Sequence, residues 1–365
     1  MRCTVRAVQC RMATRPPQLR RMLSTVRNLD AERERALLSA NAVAETLISQ
    51  GNVTKGCDIL GGVLDGLRDL HGDRHPDVLS TAGFLAQQLI KRDGARDNEM
   101  AESLAREACE HAQLLWGDGH PEYALAASTL GMVLAHRGQL REAEHYMRLC
   151  HKVAANRTDD AAGSSSTHAR RELHVASSNL AQILIEQNCL EESLPYARSA
   201  LEESTALLGT YHAETLEELH TVGRVLEAVG EMKEAEQTMR IALERNRDMH
   251  GDEHPRTLLA LSSLARLLGG SEDCLDEAEA LMREDVRVSK RVHGPSHRET
   301  LAAVSNLAQV LYKREQYEAA MPLARDALRI SVQVFGVDHE HTTLMEWLLE
   351  SVKEAAQHEL VASGG

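Results

Sequence analysis

His71-Gly72-Asp73-Arg74-His75-Pro76 and His250-Gly251-Asp252-Glu253-His254-Pro255 are two copies of one signal. In each, a Gly is followed three residues later by a His, and an amphipathic helical pattern then begins. The same pairing recurs as Gly117–His120, Gly209–His212, Gly294–His297 and Gly336–His339. Successive glycines lie 45, 92, 42, 43 and 42 residues apart. The 92 is about two periods, with a stretched junction, Gly163–His168, between them. Self-similarity at a fixed period of this length marks a repeat array, in which each unit buries its apolar face on its neighbours.

Composition sets the class. Only 3% of the 365 residues are aromatic, and Ala and Leu dominate the apolar set. Such a core is built from many small helix contacts. Alternating runs of Val, Ile, Tyr and Phe, which strands favour, are missing. The formal charge is −14, unevenly placed: residues 1–28 hold seven arginines and no acid, which leaves −21 on the remainder. An acidic body repels nucleic acid and anionic lipid, so neither is the expected partner. No apolar run reaches the ~18 residues that cross a bilayer. The seven cysteines are scattered, without Cys-x-x-Cys pairing, as expected of small core residues in a reducing compartment.

Within each period the pattern predicts a helix, a short turn, a second helix, then the Gly–His junction. The first helices are expected near 76–92, 121–137, 169–187, 213–229, 255–268 and 298–314. Their partners are expected near 98–115, 139–155, 190–207, 231–249, 276–292 and 316–334. A weaker pair over 30–50 and 52–70 precedes them, and a capping helix near 340–358 follows. Small residues recur where helices must approach closely. On the first helices these are Ala86, Gly131, Ala181, Gly223, Ala265 and Ala308; early on the second, Ala101, Ala143, Ser193, Ala235, Ala278 and Ala320. Seven residues further on come Ala108, Cys150, Ala200, Ala242 and Ala327, with Asp285 the exception. Leu89, Leu134, Leu184, Leu226, Leu268 and Leu311 then fill the gap one turn beyond the first set. Each junction Gly is read as the C-cap of one helix, Pro76, Pro121 and Pro255 as first-turn residues of the next, and the junction His as a hydrogen-bonding group at its N-terminus. Linkers are expected at Asp93–Asn98, Asn156–Thr167 and Gly269–Leu275, the second being the mobile one.

Small residues at these spacings on paired helices resemble the tetratricopeptide repeat. The long period, the two His-Gly-Asp-x-His-Pro junctions, and Asn179-Leu180-Ala181 and Asn306-Leu307-Ala308 resemble its kinesin-light-chain variant. The resemblance covers about residues 70–340. It implies an all-α, right-handed tetratricopeptide-type solenoid of six to seven hairpins with a C-terminal capping helix. Kinesin light chains precede their repeats with a heptad coiled coil. Here residues 30–70 are broken by Gly51, Gly56, Gly61, Gly62 and Gly66, so the likeness is to the repeat region and not to a motor light chain. The expected organisation is a basic leader over 1–29, presequence-like or unstructured, a divergent helix pair over 30–71, six repeats over 72–338, a cap over 339–360 and a tail over 361–365.

Catalytic signatures do not survive their context. His250-Gly251-Asp252-Glu253-His254 matches the inverted zinc-protease pattern, but a Gly and a following Pro put it in a turn, not on one helical face. The junction histidines lie about a repeat apart, which spreads them along an edge and converges them on no ion. No P-loop, dinucleotide fingerprint or nucleophile elbow is present. The chain is read as a non-enzyme with no cofactor and no metal.

A wall of the first helices is the candidate site. Residues two before and one after each small residue pair as Phe84/Gln87, Thr129/Met132, Asn179/Gln182, Thr221/Arg224, Ser263/Arg266 and Asn306/Gln309. Thr129, Met132, Asn179, Gln182, Thr221, Arg224, Ser263, Arg266, Asn306 and Gln309 form the expected peptide-binding groove. A ladder of amides and hydroxyls can pair with the backbone of an extended peptide. Arg224 and Arg266 would grip an acidic or phosphorylated residue bidentately. Chaperone-binding tetratricopeptide proteins carry a Lys four residues before the Asn; Val175 and Ala302 stand there, so a carboxylate clamp of that kind is not expected. The chain is thus read as a protein–protein interaction scaffold holding a peptide segment in a concave groove. The Arg-rich leader, with Arg21-Met22-Leu23-Ser24 resembling a processing site, points to mitochondrial import and to the type of tetratricopeptide protein that assists respiratory complex III. A cytosolic kinesin-light-chain-like cargo or signalling adaptor is the alternative, and an enzyme the distant one.

Overall fold

The junction sequences are where the fold is decided, because they end one helix and start the next within four residues. At Gly72, Gly117, Gly209, Gly251 and Gly336 the backbone has φ between 79° and 91° and ψ between 165° and 173°, a region open essentially to Gly alone. Three residues on, the His sits in extended conformation and its Nδ1 accepts the N–H of the residue two further along. This cap is made by His75, His120, His212, His254, His297 and His339 at 3.1–3.3 Å. It satisfies one of the otherwise unpaired donors of a helix start. The imidazole also stacks on the ring ending the preceding helix, as in His71–His75 and His250–His254, with centroids 4.3 Å apart.

The structure, a computed structural model, describes residues 17–92, 94–160 and 164–363. Among the described residues every regular element is helical. The chain divides into two compact units, up to Gln187 and from Asn188. The first contains α1 (Pro17–Ser49), α2 (Val53–His71), α3 (Pro76–Ile90), α4 (Ala95–Trp116), α5 (Pro121–His136), α6 (Leu140–Asp160) and α7 (Ser164–Glu186). The second contains α8 (Leu190–Leu208), α9 (Ala213–Val229), α10 (Met232–His250), α11 (Pro255–Leu268), α12 (Leu275–Val292), α13 (Arg298–Lys313), α14 (Tyr317–Phe335) and α15 (Glu340–Ser363), with a single 3-10 turn, Glu272–Cys274, before α12. Within each unit every helix packs on the next in sequence, and first helices of successive hairpins also touch: α3 on α5, α5 on α7, α9 on α11 and α13 on α15. This is the all-α solenoid arrangement that the periodicity predicts.

The small-residue rows lie at the helix crossings. Ala86, Ala101, Ala143, Ala235, Ala278, Ala308 and Ala320 are fully buried, and so are the plugs Leu134, Leu184, Leu226 and Leu311. Each such Leu contributes about 1.5–3 kcal/mol by leaving water, and together they outweigh any surface pair. Gly131 shows why size is limiting: a Cβ there would lie 2.8 Å from Met147 Cε, which fills the crossing from α6.

Several sequence expectations are corrected. The Asn156–Thr167 linker is mostly helix, since α6 runs on to Asp160 and α7 begins at Ser164; residues 161–163, including Gly163, lie outside the described residues. His168 caps nothing: it is inside α7, with Nε2 3.0 Å from Glu172. The spacing at this junction departs from Gly–x–x–His, and α6 and α7 extend into it. Within the expected leader over 1–29, α1 begins at Pro17, a residue suited to a first helical turn. Arg21–Ser24 therefore lies inside a helix, and residues 1–16 lie outside the described residues. The capping helix buries Met345, Leu348, Leu349 and Val352, and shows Glu346 and Glu350 to solvent. Its outer face is not wholly polar: Trp347 is 63% exposed and Leu344 48%.

Candidate peptide-binding surface

The wall predicted from register is built, but its residues are not equally free. In the first unit Thr129 is buried, and its Oγ1 accepts from Gln87 Nε2 at 3.0 Å while donating to the Leu125 carbonyl at 3.3 Å. It ties α5 to α3 and is no longer available to a ligand. Met132 is half-buried. Asn179 is half-buried too, and its Nδ2 is a buried donor without a partner. Gln182 is exposed and donates to Glu186 at 2.9 Å, one turn on.

In the second unit Ser263 is withdrawn in the same way as Thr129. It is 8% exposed, with Oγ 2.9 Å from His220 Nε2. Thr221 donates to the Glu217 carbonyl of its own helix at 3.0 Å. Arg266 is already held: its two Nη atoms fork onto Glu227 at 2.5 and 2.8 Å. The expected twin-arginine grip is therefore not free, because an acid on the neighbouring first helix fills half of it. Arg224 is exposed and makes no hydrogen bond or ion pair with any described residue. Asn306 is half-buried and Gln309 exposed, and neither has a partner among the described residues.

Two features escaped the sequence reading. The first is an apolar row four residues before the polar one: Leu125 is 61% exposed, Val175 44% and Leu259 53%. Val175 drew attention only as the absence of a Lys. The second is His220. Three residues before the small residue of each first helix stand Gly83, Ser128, Ser178, His220, Ser262 and Ser305, so a single ring breaks a row of small residues. Burial pushes its imidazole down to about 4, with Arg224 and Arg266 adding to the effect. It is held neutral as a hydrogen-bonding group.

Each unit has a cavity at the same register. One of about 230 Å³ lies between α3 and α5, over Gly83, Phe84, Ala112, Trp116 and Leu125. The other, of about 270 Å³, lies between α9 and α11 over the equivalent His220, Thr221, Asn246 and Leu259. The first is lined mostly by apolar groups, with Ser80, Gln87, Glu122 and Thr129 among them. The second is polar, with Glu217 and Arg256 paired across its mouth and Asn246 buried in its floor. Among the described residues no His, Cys, Asp and Glu gather as a metal site, and no helix is long and apolar enough to cross a membrane.

Models of the tetratricopeptide repeat match residues 124–155, 257–299 and 300–341, and a second model of the same description matches residues 172–248. No curated protein matches the sequence. Among solved structures, the quorum sensor NprR from B. thuringiensis, in its apo form, is similar at 12% identity and a TM-score of 0.53, over 86% of this chain and 82% of that one. BtubC (BKLC) from P. vanneervenii is similar at 16% identity and a TM-score of 0.51, over 69% and 92%. A Podosopora anserina chain described as a kinesin light chain with nearly identical TPR-like repeats is similar at 20% identity and a TM-score of 0.48, over 59% and 98%. At such identities the two likenesses with TM-scores above 0.5 speak to the fold alone. The repeat models cover more than half of the sequence and carry one conclusion: the chain belongs to the tetratricopeptide-repeat family, whose solenoids are protein-interaction scaffolds.

Proposed function

We propose that the chain is a non-enzymatic scaffold that holds a peptide segment against the first helices of its hairpins. The observation that carries this reading is the pair of cavities at equivalent register, one in each unit, each bordered by an exposed Leu. An extended peptide can set a side chain in such a cavity. Its backbone can meet the free amides of Asn306 and Gln309 in the second unit. The surface is formed before the partner arrives, so the ordering cost falls on the peptide. Of the two arginines, Arg224 is the one open to an acidic or phosphorylated residue.

For the compartment, the arginine-rich, acid-free stretch over 1–28 supports mitochondrial import, and with it a role in assembling a mitochondrial complex. Fusing residues 1–30 to a fluorescent reporter tests this: mitochondrial signal is expected, and diffuse cytosolic signal rejects it in favour of a cytosolic adaptor.

The scaffold reading is tested by affinity purification and mass spectrometry on the full chain with Leu125→Glu and Leu259→Glu together. Both residues are exposed, so thermal unfolding should move little. Partners recovered with the parent chain should be lost from the variant. Undiminished recovery would discard the wall as the binding surface.

A further inference from the structure

The second helices of the hairpins carry an arginine eleven residues before the junction glycine: Arg106, Arg198, Arg240, Arg283 and Arg325. In three of them it reaches across to an acid at the start of the next second helix. Arg106 forks onto Glu142 at 2.6 and 2.8 Å, Arg198 meets Glu234 at 2.7 Å, and Arg240 forks onto Glu277 at 2.5 and 2.7 Å. Where a glutamate stands four residues before, the arginine Nε takes it: Arg106 holds Glu102 and Arg240 holds Glu236.

Arg283 is posed in the same way, with Nε on Glu279 at 2.8 Å. Its two Nη atoms should then meet a carboxylate at the register of Glu234 and Glu277. That position is Ala319. The fork is left open, and Arg283 is 54% exposed. One turn on, Arg287 stands at the register of Glu202 and Glu244, so the sign of that position is reversed as well. Arg287 is exposed and has no partner among the described residues.

The consequence appears in the clefts between successive second helices. The cleft between α8 and α10 is lined by Arg198 with Glu202 and Glu234, and that between α10 and α12 by Arg240 and Arg247 with Glu244, Asp248 and Glu277. In both, the lining carboxylates outnumber the arginines by one. The cleft between α12 and α14, of about 360 Å³, has Arg283 and Arg287 as its only charges, over Val286, Leu307, Leu311, Pro322 and Leu323. Over this apolar floor the Arg287 guanidinium has no partner among the described residues, and the Arg283 guanidinium is held only at Nε, by Glu279.

We infer that the α12–α14 cleft is a second binding site, on the helix layer opposite the first-helix wall, and that it takes an acidic peptide segment with interleaved apolar side chains. The peptide carboxylate completes the Arg283 fork above Ala319, as Glu277 completes that of Arg240, and a neighbouring acid meets Arg287. Its apolar side chains cover the floor. A bidentate guanidinium–carboxylate pair gives orientation as well as attraction.

The test uses the full chain and a fluorescein-labelled hexapeptide alternating Leu and Glu, read by anisotropy at low salt. Saturable binding is expected, falling as salt rises. Ala319→Glu supplies the missing carboxylate from within, so it should weaken binding about tenfold or more while leaving the fold at least as stable. Arg283→Gln with Arg287→Gln should weaken it similarly. Leu125→Glu with Leu259→Glu, on the other wall, should leave it unchanged, which separates this site from the groove. Absence of saturable binding overturns the proposal. So do equal binding of a Leu/Gln hexapeptide, full affinity in Ala319→Glu, and displacement by inorganic phosphate as readily as by unlabelled peptide.

Discussion

His220 Nε2 lies 2.9 Å from Ser263 Oγ, a contact that spans 43 residues of sequence and joins the first helices of two successive hairpins. The ring takes the place of a small residue, closes the end of the α9–α11 cavity, and is held neutral with its titration pushed down to about 4.

That depression fixes a pH dependence. The folded imidazole resists the proton that an unfolded one accepts at its ordinary value of 6.5. The stabilisation is therefore complete above about 6.5 and is lost progressively as the pH falls toward about 4. Replacing His220 with Gln keeps a hydrogen-bonding group beside Ser263 but removes the titration. Melting temperatures should fall less between pH 7 and pH 5 in His220→Gln than in the parent chain. Parallel curves would show that this ring is not the group responsible.

Asp285 has the opposite sign. It is a carboxyl in a row otherwise Ala or Cys, 2% exposed, accepting from Ser262 and from Ser289 at 3.0 Å. Burial raises its titration, the two hydroxyls oppose this, and Glu299 and Glu284 add to the rise. The folded form holds its proton to higher pH than the unfolded one, so the stabilisation is complete below the usual carboxylate range and is lost as pH rises. Asp285→Asn should accordingly raise the melting temperature at pH 7, by roughly 2–4 °C for each kcal/mol recovered. The gain should shrink toward pH 4 in a scanning-calorimetry series.

The junction cap can be tested at one copy. His254→Ala removes the acceptor for the Arg256 N–H, a 3.2 Å bond, and the stack on His250. A loss of about 1 kcal/mol is expected from chemical denaturation. His254→Asn, which restores an N-cap acceptor, should recover most of it.

Gly251 separates backbone strain from crowding. An added Cβ meets nothing within 4 Å, yet φ is +79° and ψ 173°. Gly251→Ala should therefore cost about 1–3 kcal/mol through conformation alone. Gly131→Ala should disturb packing instead, since Met147 Cε must give way from 2.8 Å. Denaturant midpoints for the two variants, with and without Met147→Leu, would tell these causes apart: only the Gly131 variant should respond.

The two wall arginines should also part company. Arg266→Ala leaves Glu227 without its fork and should lower stability slightly, whereas Arg224→Ala breaks no bond and should leave unfolding unchanged. Equal effects on the melting temperature would contradict the assignment of Arg266 to the scaffold.

Much of this architecture could be read from periodicity, because repeat folds impose the same steric demand at each crossing. Ala86, Gly131 and Ala308 are small where only small residues fit, and Gly72, Gly117 and Gly251 stand where the backbone turns left-handed. The irregular junction was misread for the same reason: with its spacing stretched, nothing in Asn156–Thr167 announced that helices would continue into it. The wall was legible as a register but not as a surface. Register says which side chains share a face. It is silent on whether Thr129 is consumed by Gln87, or Arg266 by Glu227, since those partners lie 42 and 39 residues away.

What the chain alone determined was the repeat: helix ends, crossing residues and caps are local, and each follows from backbone conformation or side-chain size within a few positions. What only the tertiary structure decided was availability. Stacking one hairpin on the next pairs Arg240 with Glu277 and leaves Arg283 facing Ala319, buries Ser263 against His220, and leaves Leu125 and Leu259 in water. Whether a polar or apolar group is free to bind depends on what its neighbour in space already holds, and that neighbour is a full repeat away in sequence.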